Sequence, residues 1–151
     1  MHDWINQVRL LVESSENAQV GIGASEQEVN EAETSLGVRF PSYFRAYLLE
    51  FGVLSVAHRE FYGLGAGVPT YLHLVIETLA ERHQFRPYIP KHLIPVENNG
   101  GGDHYCIDLS AELEDPPVVF WNHTQDESQV AQPEAECFSS WLLECIAENV
   151  A

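Results

Sequence analysis

The 151 residues include 45% apolar side chains and 16 aromatics, enough for one buried core, which excludes a globally disordered chain. Against 7 basic residues stand 23 acidic ones, a net charge of −16 and the wrong sign for nucleic acid or an anionic membrane. No apolar run of about 18 residues suggests a membrane span, and the start, MHDWINQVRL, lacks the pattern of a signal peptide. The expectation is a soluble cytoplasmic protein.

Taken in order, HDWINQVRLLVESS places Trp4, Val8, Leu11 and Val12 at helical spacing, with Ile5 beside them. NAQVGIGA breaks that pattern. Ser25 then stands three residues before Glu28, the capping-box spacing, ahead of an apolar stripe of Val29, Ala32 and Leu36. Gly37 follows as a terminator. A third helix is predicted from Pro41 or Ser42, with Phe44, Tyr47, Leu48 and Phe51 on one side and Gly52 at its end.

The texture then changes. VLSVAHREFYGLGAGVP reads as one or two short strands with turns, and TYLHLVIETLAERHQF as a helix with a stripe of Leu72, Val75, Ile76 and Leu79. LIPVEN, HYCIDL and PVVFWNHT read as strands. In HYCIDL, Tyr105, Ile107 and Leu109 alternate with His104, Cys106 and Asp108, which predicts one buried and one more polar face. ECFSSWLLECIAENV closes the chain as an amphipathic helix through Phe138, Trp141, Leu142, Cys145 and Ile146.

Helices first, strands next and a final helix predict an α+β fold: one domain over residues 1–151, with N-terminal helices and a C-terminal helix packed on a twisted, mainly antiparallel sheet. Cys137 and Cys145 would lie roughly 12 Å apart along one helix, too far to bridge. Cys106 has no evident partner, so reduced thiols are expected.

The stretch NNGGGDH, residues 98–104, offers three readings. A phosphate loop needs a Lys-Ser/Thr ending and a following helix, whereas Asp103 and a strand follow here. A metal site at Asp103, His104, Cys106, Asp108, His123 and Asp126 lacks any recognised ligand spacing. A hairpin turn explains the glycines, which adopt positive φ cheaply, and sets Asp103 and His104 at a rim. No nucleophile motif is present. No catalytic residue, cofactor or metal is expected, and a metal-dependent hydrolase using Asp103, His104 and His123 is the least favoured alternative.

Charge indicates the partner. From Glu97 onward there are 12 acidic side chains and no Lys or Arg. Such a segment suits a basic protein, which it would steer by long-range attraction; its plainer role is solubility. The candidate contact residues are Asp103, His104, Asp108, Glu112, Glu114, Asp115, Asp126 and Glu127, rimmed by Tyr62, Tyr71 and Trp121 where these are exposed.

Several stretches in order (ASEQEVNEAETSLGVRFPSYFRAYLLEFG, YGLG, HLIPVENNGGGDHYCIDLS, PPVVFWNHT and CFSSWLLECI) resemble the SUKH superfamily across roughly residues 22–147. The resemblance implies a single α+β domain and a non-enzymatic role. Bacterial members are immunity proteins that bind and neutralise toxin domains, often nucleases; eukaryotic members are regulatory scaffolds. The recurring family positions fall here on Leu36, Gly37, Phe40, Pro41, Gly63, Pro95, Gly101, Gly102, Asp103, Trp121, Phe138, Trp141 and Leu142. One departure is His104, standing between Asp103 and the aromatic Tyr105 where the family places an aromatic directly after the Gly-Asp pair. The resemblance implies an immunity protein against a basic toxin domain, with a regulatory protein-interaction module as the alternative.

Overall fold

The computed structural model describes residues 3–151. Five helices accompany one seven-stranded antiparallel sheet whose strands follow one another in sequence order. The first helix, α1 (Asp3–Glu13), leads into a short edge strand, β1 (Ala18–Val20). Sequence periodicity does not reveal β1, because three residues with a half-buried, exposed, exposed pattern give no alternation to read. Helix α2 (Glu26–Leu36) begins at the predicted capping box: the Ser25 hydroxyl accepts from Glu28 N and the Glu28 carboxylate accepts from Ser25 N. It ends at Gly37, left-handed at φ 66°.

Helix α3 (Ser42–Glu50) buries Phe44, Tyr47 and Leu48. Strands β2 (Leu54–Val56) and β3 (Arg59–Phe61) form a hairpin, so the glycine-punctuated segment holds two strands. After a short 3-10 turn comes α4 (Leu74–His83), whose buried side chains are Leu74, Thr78 and Ala80. The predicted stripe is therefore corrected: Ile76 is exposed, because α4 packs on both α2 and the sheet with a face rotated from the one the apolar residues suggest.

Strands β4 (Leu93–Asn98), β5 (His104–Asp108), β6 (Val118–Trp121) and β7 (Gln132–Ala135) complete the sheet, and α5 (Phe138–Asn149) closes the chain. The β4–β5 hairpin turns through residues 99–103, as expected. Pro95, which donates no hydrogen bond, sits beside a bulge between Pro95 and Glu97.

Both faces of the middle strands are covered. On one face Phe138 of α5 gathers Trp4 of α1 and Phe44 and Tyr47 of α3, with ring centroids 5.4–6.0 Å apart. On the other, Leu93, Cys106, Val119 and Trp121 pack with Ile89. The polar face expected for β5 is thus a second core: Cys106 is fully buried, His104 nearly so, and only Asp108 is half-exposed. All three cysteines are free.

Strands β3 and β4 share a narrow seam, with one register pair, Phe61 opposite Glu97. Arg59 bridges it, donating from Nε to Glu97 Oε2 at 2.8 Å and from a terminal nitrogen to Oε1 at 2.5 Å. The pair lies under the Tyr105 and Trp141 rings, and Glu97 is 2% exposed. The Glu97 hydrogen bonds hold the Arg59 guanidinium above its ordinary pKa against the opposing effect of burial. Removing one partner of such a pair leaves a buried charge, which costs about 3–5 kcal/mol. Glu97→Ala is expected to lose that much in urea unfolding, whereas Arg59→Met with Glu97→Met should lie close to the parent. Equal losses in the two variants would contradict the role assigned to the ion pair.

Candidate functional site

The loop that joins β4 to β5 is tied by two asparagines. Asn98 Oδ1 accepts from Gly100 N at 2.8 Å and from Gly102 N at 3.3 Å; Asn99 Oδ1 accepts from Gly101 N at 2.8 Å and from Asp103 N at 3.2 Å. Gly100 and Gly102 have φ of 92° and 103°, which a side-chain-bearing residue adopts only with strain. The four backbone amides that a phosphate cradle would use thus already have acceptors. The loop is a self-satisfied turn and holds the β4–β5 rim rigidly.

Asp103 stands at that rim but faces its own fold. His123 donates its backbone N–H to Asp103 Oδ1 at 2.9 Å, and the His123 ring nitrogen Nδ1 lies 2.6 Å from the same oxygen. Burial would raise the Asp103 carboxyl, but the His123 and Asn99 hydrogen bonds outweigh it and hold the group below its ordinary value. The pair therefore closes the β6 end against the β4–β5 turn, with Gly102 beneath the His123 ring.

Three sequence candidates lie in the interior. His104, Trp121 and Tyr62 are 2%, 2% and 3% exposed, so they form no binding rim. The reason is topological: His104 sits opposite Trp121 in the middle of the sheet, on the face that Ile89 and α4 cover. Tyr62 joins them through a 3.1 Å hydrogen bond between its hydroxyl and His104 Nε2. His104 Nδ1 is 3.6 Å from Glu81 of α4 and has no hydrogen-bond partner. Of the hydrolase trio, then, Asp103 and His123 meet while His104 is turned into the core. Among the described residues no group of three or more His, Cys, Asp or Glu side chains is placed to hold a metal ion.

Most of the acidic candidates serve local structure. Asp108 caps the turn at Ser110, accepting from its amide at 2.9 Å. Asp115 accepts from Ser139 N at 3.0 Å and so holds the start of α5. Glu114 accepts from Ser42 N at the start of α3 and lies 3.6 Å from Arg39. Asp126 accepts from Ser128 N, and Glu127 pairs with Arg86 at 3.1 Å on the surface, a contact worth little. Glu112 is exposed and takes part in none of the ion pairs. Tyr71 is 58% exposed, its hydroxyl donating to Glu60 at 2.6 Å.

The acids that sequence reasoning passed over are the freer ones. Glu134 on β7, Glu136 beyond it, and Glu144 and Glu148 on α5 are all exposed and outside the ion pairs of the described residues. Strand β7 and α5 pack together, and Glu144 and Glu148 are one helical turn apart, so like charges accumulate on these last two elements. The signal available in the sequence was the absence of any basic residue after Lys91 together with the outward phase of the final helix.

The buried His104–Glu81 contact makes a pH prediction. Burial holds His104 at about 4, below its ordinary 6.5, so the unfolded chain takes up a proton first and His104 lowers stability as pH falls from about 6.5 to about 4. Glu81 acts oppositely: burial, reinforced by Glu77, lifts it to about 7 from 4.5, so the folded chain keeps its proton longer and gains stability as pH falls through that window. The two slopes offset each other. Glu81→Gln removes one of them and should lose distinctly more stability than the parent between about pH 7 and about pH 4 in urea unfolding. Parallel pH profiles would contradict this account.

Comparison with known proteins agrees with the architecture. The family model SUKH_5, described as SMI1-KNR4 cell-wall, matches residues 1–147. A protein from Pseudomonas syringae pv. tomato, known from its crystal structure, is similar in fold, with a TM-score of 0.65. It is 22% identical, and the alignment covers 93% of this chain and 98% of that one. At that identity the likeness concerns the fold alone. No curated protein matches the chain. No helix among the described residues is long and apolar enough to cross a membrane.

Proposed function

We propose a binding role from one premise: the chain belongs to the SUKH_5 family, described as SMI1-KNR4 cell-wall, whose model covers nearly its whole length. Such membership is consistent with an immunity protein or a protein-interaction module. The reading favoured here is an immunity protein that neutralises a basic toxin domain, a nuclease for example, by occupying its cationic surface. The observation that carries it is charge: 12 acidic and no basic side chains from Glu97 onward, several of them exposed and unpaired.

The contact surface is proposed to combine Glu112, Asp126, Glu127 and Tyr71 with Glu134, Glu136, Glu144 and Glu148. Asp103, Asp108, Glu114 and Asp115 contribute field rather than contact, since their carboxylates hold the hairpin, a turn and the starts of α3 and α5; Asp126 and Glu127 bond only to Ser128 and to exposed Arg86, on the surface. Charged groups arranged in this way raise the encounter rate and exclude acidic partners. No catalytic step, metal or cofactor is part of the proposal, and the place of action is the cytoplasm.

The second reading, a regulatory scaffold with a cellular partner, draws on the cell-wall description of the family. Gene neighbourhood separates the two, because an immunity gene lies beside the gene for its toxin. The test is co-expression of this chain with the toxin domain encoded next to it. Rescue of growth and a co-purifying complex are expected. Failure of both would overturn the immunity reading and leave the scaffold.

A further inference from the structure

Glu77 has no ion-pair or side-chain hydrogen-bond partner among the described residues, although it is half-buried on α4. Burial lifts its carboxyl above the ordinary range, the mark of a carboxylate without a cation. It faces a groove of about 670 Å³ at the β3–β4 seam, shared with Glu60, Tyr62, Tyr71, Arg59 and Glu97. Within that lining three carboxylates face one guanidinium, and the guanidinium is already held by both Glu97 oxygens. Glu60 accepts the Tyr71 hydroxyl, which ties the exposed ring to the groove wall. The self-bonded Asn98–Gly100 turn forms the rim, so the groove is preformed.

We propose that this groove receives an arginine side chain of a protein partner, which pairs with Glu77 and stacks on Tyr71. The inference rests on the reading of the partner as a basic protein and supplies the specific contact that reading lacks. Arginine fits because a planar guanidinium both stacks on an aromatic face and donates to carboxylates in a fork. An entering cation also offsets the desolvation cost that Glu77 already bears unpaired, a gain that the solvated acids of β7 and α5 do not offer.

The probe is N-acetyl-arginine methylamide, titrated into the 15N-labelled protein and followed by amide shifts. The neutral citrulline analogue of the same shape serves as its control. Saturable shifts at Tyr71, Glu77 and Asn98–Gly100 are expected with arginine and not with citrulline. Glu77→Gln should weaken binding roughly tenfold, as should Tyr71→Ala, and Glu77→Gln should unfold no earlier than the parent because it removes an unpaired, desolvated charge. Equal binding of citrulline, arginine shifts centred on Glu134 to Glu148, or full affinity in Glu77→Gln would overturn the proposal. The groove and the immunity reading fail separately. A toxin complex unaffected by Glu77→Gln removes the groove alone; arginine binding without toxin rescue removes the toxin alone.

Discussion

The Arg59–Glu97 pair is the contact on which the shape of this molecule turns. It clamps a seven-stranded sheet at its weakest line, where β3 and β4 share a single register pair. Beside the clamp, the Phe61 ring meets Trp141 of α5 edge-on at 5.7 Å, which also ties the β1–β3 ribbon to the β4–β7 half. The Tyr62 amide, which donates to Val96 O, and the Tyr47 hydroxyl, which donates to Tyr62 O, brace the same line. The groove that Glu77 faces lies along this seam, with Arg59 and Glu97 in its lining. The ion pair thus closes the sheet beside a depression lined by both aromatic rings and carboxylates.

Covering both faces of the middle strands has a second consequence. His104, Cys106 and Trp121 are drawn inside, which leaves edges, loops and the outer faces of helices as the accessible surface. There the acids divide by physical role. Asp103, Asp108, Glu114 and Asp115 accept hydrogen bonds from backbone amides or helix starts and are tied to the fold. Glu134, Glu136, Glu144 and Glu148 have no such duty, and a cationic surface from outside would relieve their mutual repulsion. Membership of SUKH_5 is consistent with a protein-interaction role for such a surface.

Local signals were legible where one or two residues decide geometry. The Ser25–Glu28 box, the terminator Gly37 and the Asn98–Gly102 turn all stand where their chemistry places them. Apolar residues at helical spacing located α1, α3 and α5, and family motifs carried the fold. What stayed hidden depends on contacts distant in sequence. A three-residue edge strand has no period to detect. The packed face of α4 is set by its two neighbours rather than by its apolar content. His104 reads as a surface histidine until Trp121 is seen opposite it, and Glu97 reads as one more acidic residue until Arg59 reaches it across the seam.

The central claim is recognition of a basic protein through acidic attraction, and the salt dependence of association tests it most directly. Stopped-flow mixing with the neighbour-encoded toxin domain, at ionic strengths from about 0.01 M to about 1 M, spans Debye lengths from about 30 Å to about 3 Å. The account predicts an association rate that falls by at least about tenfold over that range while dissociation changes much less. An association rate indifferent to salt would contradict it.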